Sequence, residues 1–247
     1  MFTNVQQLRA HLLERLQKGE HLILYGPRGS GKSRLVLQLR VGLGKANIPC
    51  AIASSTTCLN DITRTLAMAY PGAETGARTR RGARSRLWVA ADQRRGVLLL
   101  DHVSAMSTAM LGFLRRLRGG VAGILMVVDL DVERDRRHIR ALRVGMLSVH
   151  MPRTPARTLL RLLRSRCKQV RVGLDRDTQT KLMRVARGRP GWILQCASLL
   201  AQGRYRREGR LLLSVLCTDT EFALREGNLR WATAKESAES STARSAS

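Results

Sequence analysis

Aromatic residues make up only 4% of this 247-residue chain, three each of Trp, Tyr and Phe. Single-strand binders stack bases on aromatic faces, so that mode of recognition has little support. Apolar runs are short as well. Residues 97–100 and 121–128 are well below the length needed to cross a bilayer, so membrane insertion is not expected. The N-terminal stretch MFTNVQQLRAHLLERLQKGE is polar and amphipathic and lacks the apolar centre of a secretory signal. Glu14 and Glu20 argue against a transit peptide. Cysteine is sparse and scattered, at positions 50, 58, 167, 196 and 217, with no metal-ligand spacing and an odd count. These read as buried thiols in a reducing compartment, and the expected location is cytoplasmic.

Acidic residues are few, 18 against 44 basic ones, and only six of the basic residues are lysine. The net charge is +26. Arginine pairs bidentately with phosphate, which points to a nucleic-acid partner. Arginine enrichment from a GC-rich genome is the competing explanation. Self-repulsion at this charge favours an anionic partner.

The motif with the most chemical content is Gly26-Pro27-Arg28-Gly29-Ser30-Gly31-Lys32-Ser33, which satisfies GxxxxGK[ST] at every fixed position. An apolar run precedes it (residues 21–25) and a helical pattern follows (residues 32–43), the strand–loop–helix context of a phosphate-binding loop. Backbone N–H groups freed by the glycines, together with the helix N-terminus, suit a polyphosphate. Lys32 is expected to reach the β- and γ-phosphates and the Ser33 hydroxyl to ligate Mg²⁺. The nucleotide-binding set is therefore Gly26 through Ser33 with the adjoining Arg34.

Hydrophobic patterning places an amphipathic helix over residues 3–18, with Val5, Leu8, Leu12, Leu13 and Leu16 on one side. Strands are expected at 48–53, 96–101, 122–129 and 146–151, alternating with helices at 59–69, 87–93, 106–118 and 133–142. That alternation predicts an α/β fold, a parallel-sheet core with helices on both faces. After Pro152 only helices are expected, at 155–168, 176–187, 190–202 and 207–217. The predicted organisation is a phosphate-loop core over 1–152, a small all-helical domain over 153–232, and a disordered Ser/Ala-rich tail over 233–247.

A phosphate loop needs a carboxylate on another strand to complete the Mg²⁺ shell. Val97-Leu98-Leu99-Leu100-Asp101 supplies one, a Walker B pattern, with Asp101 reaching the metal through water. Many hydrolysing relatives carry Glu directly after this Asp; here the residue is His102. His can accept a proton near neutral pH, so His102 is a candidate general base, a sensor, or a plain surface residue. No acid occurs from 102 through 128, so turnover is expected to be slow or partner-dependent. Asp129, ending the next strand, is expected at the same sheet edge, where it either senses the γ-phosphate or pairs with Arg134, Arg136 or Arg137.

The pieces GPRGSGKS at 26–33, VLLLD at 97–101, ILMVVD at 124–129 and GRPGWI at 188–193 resemble the AAA+ ATPases among the P-loop NTPases. The similarity is closest to the transposition-helper and secretion-associated branch and to origin-recognition-type initiators, and it covers roughly residues 3–217. The resemblance implies ATP and Mg²⁺ as cofactors, a helical lid over the nucleotide, and homo-oligomers or a partner protein. It places the lid's sensor-2 turn at 186–191, where the family often has Arg after the proline. This chain has Gly191, leaving Arg189 or Arg187 as substitutes or the segment as a plain interhelix turn. Arg140 and Arg143 occupy the region where such proteins carry an arginine finger.

Arginine clusters lie at 78–86 and 134–140, and Arg157, Arg161, Arg164 and Lys168 form one stripe on the helix after Pro155. Such a stripe is a solvated face or a track for backbone phosphates, with little sequence readout. Three functions fit: an ATP-dependent switch or loader on DNA, an ATP/ADP-controlled protein-interaction switch with little hydrolysis, and a small-molecule kinase. The last lacks any acceptor-binding motif.

Overall fold

The structure is a computed structural model. It describes residues 4–53, 63, 96–103, 108–120, 123–129, 145–203, 205–207 and 210–225. The expected helices at 59–69 (Thr63 apart), 87–93 and 133–142 lie outside the described residues. So do the basic segments 78–86 and 134–143, Cys58 and the tail over 233–247. The chain divides into two units: Met1–Pro27 with Lys32–Pro152, and Arg28–Gly31 with Arg153–Ser247.

The first unit opens with α1 (Val5–Gln17), whose N-cap Asn4 accepts a hydrogen bond from the Gln7 N–H at 2.8 Å. Leu8, Leu12 and Leu16 recur every four residues and are fully buried. Then come β1 (His21–Gly26), α2 (Lys32–Lys45), β2 (Cys50–Ala53), β3 (Val97–Val103), α3 (Thr108–Gly120), β4 (Gly123–Asp129) and β5 (Leu147–His150). The five strands form one parallel sheet in the order β2-β3-β4-β1-β5. Leu22, Leu24, Val97, Leu99, Leu125 and Val127 face a core shared with α1 and α2. Ile23, Leu98, Leu100, Ile124 and Met126 alternate to the other face and are buried too. A sheet covered on both faces is what such near-continuous apolar strands require.

The second unit holds α4 (Ala156–Gln169), α5 (Arg176–Ala186), α6 (Pro190–Leu200) and a helix over residues 213–225, here α7. Its core gathers Leu159, Leu163, Leu182, Trp192, Ile193, Cys196 and Leu216. Asp175 caps α5, accepting from the Thr178 N–H at 2.8 Å, and Pro190 opens α6. The unit is not all-helical, which corrects the expectation of a helix over 207–217. Two-residue strands β6 (Arg206–Arg207) and β7 (Arg210–Leu211) pair antiparallel, and α7 starts only after them. Tyr205 fixes the entry: its carbonyl accepts from the Leu212 N–H at 2.8 Å, and its hydroxyl donates to Asp219 at 2.9 Å.

Candidate nucleotide site

The loop between β1 and α2 turns through Gly29 at φ +76° and Gly31 at φ +96°, conformations that a Cβ disfavours. Lys32, the first residue of α2, is buried at 4% exposure. Its ammonium donates to the carbonyls of Gly26 at 2.7 Å and Pro27 at 2.8 Å, and lies 2.7 Å from Asp129 Oδ1. The sheet arranges this meeting. Strand β4 lies directly beside β1, and Gly26 is in register with Asp129. The structure thus brings Asp129 to Lys32, a partner not among the arginines considered from the sequence.

Strand β3 runs in step with β4 as far as Leu100, opposite Met126; then Val103 faces Val128. Three steps on β3 against two on β4 leave an extra residue, a bulge that re-aims side chains. His102 takes up the distortion at φ +53°, an uncommon value for a residue with a Cβ. Its N–H donates to Asp101 Oδ1 at 3.1 Å. Its ring Nε2 lies 3.2 Å from Ser33 Oγ and 3.7 Å from Asp101 Oδ2. Ser33 and Asp101, the two residues expected around Mg²⁺, are therefore joined by a third group. No bulge signal marks positions 100–103 in the sequence, so this convergence was not readable there.

The residues present fit a polyphosphate. Ser30 Oγ is buried with no hydrogen-bond partner among the described residues, a polar atom that a phosphate oxygen would satisfy. The first turn of α2 carries no acid to oppose an anion at its N-terminus. Arg34 is exposed on α2, and the Arg28 guanidinium donates to the Arg225 carbonyl at 3.3 Å.

Residues 14–151 match the AAA domain family, more than half of the chain. The chain belongs to that family. A comparison with curated proteins finds no match. Among solved structures, this AAA chain is similar to Cdc6p from Pyrobaculum aerophilum, with TM-score 0.55 and 16% identity over 81% of this chain and 62% of that one. It is similar to domain III of the Thermotoga maritima replication initiation protein DnaA, with TM-score 0.53 and 14% identity over 89% and 93%. A third is the Aeropyrum pernix ORC1 protein in complex with DNA, with TM-score 0.52 and 19% identity over 90% and 67%. At these identities the likeness is one of fold, that of the AAA+ P-loop ATPases. The chain spans about three-fifths of the Cdc6p chain, 62% of its length.

The second unit of this AAA chain holds the turn at 186–191, the segment expected from the resemblance to match sensor 2. Helix α5 ends on Arg187 in the left-handed region at φ +46°, followed by Gly188 at φ +84°. Arg187 is exposed. Arg189 is committed elsewhere: its guanidinium pairs with both carboxylate oxygens of Glu221 and donates to the carbonyls of Ala186 and Val185, each at 3.1 Å. That pairing ties the end of α5 to α7. Gly191 donates its N–H to the Gly29 carbonyl at 2.8 Å. A Cβ on Gly191 would stand 2.8 Å from Gly29 Cα, closer than packed atoms allow. Neither Glu221 nor the Gly29–Gly191 bond was identified from the sequence, since both join residues far apart in the chain.

Burial raises the Cys50 thiol to about 11 and the Cys196 thiol to about 12, and also raises Cys167 and Cys217. They stay protonated at neutral pH and are poor nucleophiles or metal ligands. Among the described residues, no helix is long and apolar enough to cross a membrane.

Proposed function

We propose that this AAA chain binds Mg²⁺-ATP through residues 26–33 and works as an ATP-dependent switch or loader acting on DNA. The observation that carries the reading is Lys32. It is a buried lysine at the start of α2, held at the mouth of a glycine loop by two loop carbonyls and Asp129. On binding, the ammonium exchanges these partners for phosphate oxygens. Ser33 and Asp101 would hold the cation, which when bound would neutralise phosphate charge. Asp129, released from Lys32, then responds to the γ-phosphate through water. The arginine excess supplies the attraction to duplex phosphates, and assembly into homo-oligomers or with a partner protein completes the switch.

A second reading is favoured by His102. Its ring faces Ser33 and Asp101, where many hydrolysing relatives carry a carboxylate base. On this reading ATP and ADP set a conformation that another protein recognises, and hydrolysis is nearly absent.

ATP turnover and oligomer size, measured with and without duplex DNA, separate the two. The first reading expects salt-sensitive DNA binding that responds to ATP. The second expects neither DNA binding nor appreciable turnover. Normal ATP binding by Lys32→Ala would overturn both.

A further inference from the structure

We propose that His102 is a third protein ligand of the nucleotide's cation, and that it raises the site's affinity for a first-row transition cation such as Mn²⁺ relative to Mg²⁺. The proposal rests on the nucleotide-site reading above. Two protein groups lie close to His102 Nε2: Ser33 Oγ and the Asp101 carboxylate. Adjacent ligands of an octahedral cation at ~2.1 Å stand about 3 Å apart. The Ser33 Oγ to His102 Nε2 separation of 3.2 Å meets that spacing. Asp101 Oδ2 at 3.7 Å from Nε2 needs only a small adjustment, or a water between it and the cation.

The backbone is shaped to deliver the imidazole. An ordinary strand would alternate Asp101 and His102 to opposite faces of the sheet. The bulge between Leu100 and Val103, with the left-handed φ at His102, brings both side chains to the same side. Such a conformation in a residue with a Cβ costs energy and persists where the surroundings impose it. The opposite ring nitrogen, Nδ1, is buried without a partner among the described residues. Carrying the proton on Nδ1 leaves the Nε2 lone pair directed at Ser33 and Asp101. Imidazole is a poor ligand for Mg²⁺, which prefers oxygen and gives up water reluctantly, and a good one for transition ions. Among the described residues no three His, Cys, Asp or Glu side chains are grouped to hold a metal alone. The Ser33 hydroxyl and the phosphates of the nucleotide complete this shell, so cation and nucleotide bind together.

Pulsed EPR of the full chain with Mn²⁺ and ADP tests the assignment. The expected result is a nitrogen coupling on Mn²⁺ that changes isotope when histidine is ¹⁵N-labelled and disappears in His102→Asn. Asn tolerates the left-handed backbone, and His102→Gly removes the strain altogether, so lost coupling in both is not a folding effect. Titration of a fluorescent ADP is expected to show tighter binding with Mn²⁺ than with Mg²⁺. That ratio should fall about tenfold in His102→Asn. Nucleotide and Mn²⁺ bound together without a histidine coupling would overturn this proposal and leave the nucleotide site standing. No nucleotide binding with either cation would remove both.

Discussion

With its side chain 4% exposed and Asp129 at 11%, Lys32 forms an ion pair largely out of water. Removing one member of such a pair leaves the other charge buried and costs more than the pair contributes. Lys32→Ala should therefore lower the unfolding free energy by about 3 kcal/mol as well as abolish nucleotide binding. Adding Asp129→Asn should restore much of that stability but no nucleotide binding, as read by urea denaturation and nucleotide titration. Equal stability of Lys32→Ala and the parent would show that the pair carries no energy. Residues of the loop were legible because GxxxxGK[ST] is a local pattern, with every position within eight residues of sequence. The partner of Asp129 was not, because strand register chooses it: Gly26 faces Asp129, and Lys32 returns to that edge from the first turn of α2. His102 was noticed for what it replaces, and its actual contacts depend on a bulge that no residue type announces.

Elements were read well where a period spans several turns or a strand is apolar throughout. Leu8, Leu12 and Leu16 mark α1, and Val97 to Leu100 mark β3, and both are where their patterns place them. The β6–β7 strand pair escaped because a two-residue strand has no period, and Leu211-Leu212-Leu213 suits a helix equally well. At α6, Gly191 stands where the resemblance led to the expectation of a sensor arginine, and there the first turn meets Gly29 backbone to backbone within the second unit. Gly191→Arg is expected to destabilise by about 1–3 kcal/mol through that clash rather than supply a sensor. Denaturation and ATP turnover measured on the same variant decide it. Intact stability with faster turnover would mean the position accepts the arginine after all.

Charge belongs to the whole molecule, and +26 is what remains after every one of the 18 acids is set against one of the 44 bases. Composition alone could not separate a phosphate-binding surface from biased codon usage, because both enrich arginine. The structure narrows the question to a testable face. Helix α4 contains no acid, buries Leu159, Leu163 and Cys167, and exposes Arg157, Arg161, Arg164 and Lys168. Arg164 leans on Gln179 at 3.1 Å, a neutral partner that leaves its charge uncancelled. If this face tracks a duplex, each phosphate contact releases condensed counterions and steepens the salt dependence of binding. The double variant Arg157→Ala/Arg161→Ala should then weaken duplex binding evenly across sequences and reduce the slope of log affinity against log salt by about 2. Nucleotide binding should be unchanged, since neither residue lies in the loop. Fluorescence anisotropy over a salt series reads the slope. An unchanged slope would assign the stripe to solvation alone and move any DNA contact to other arginines of the chain.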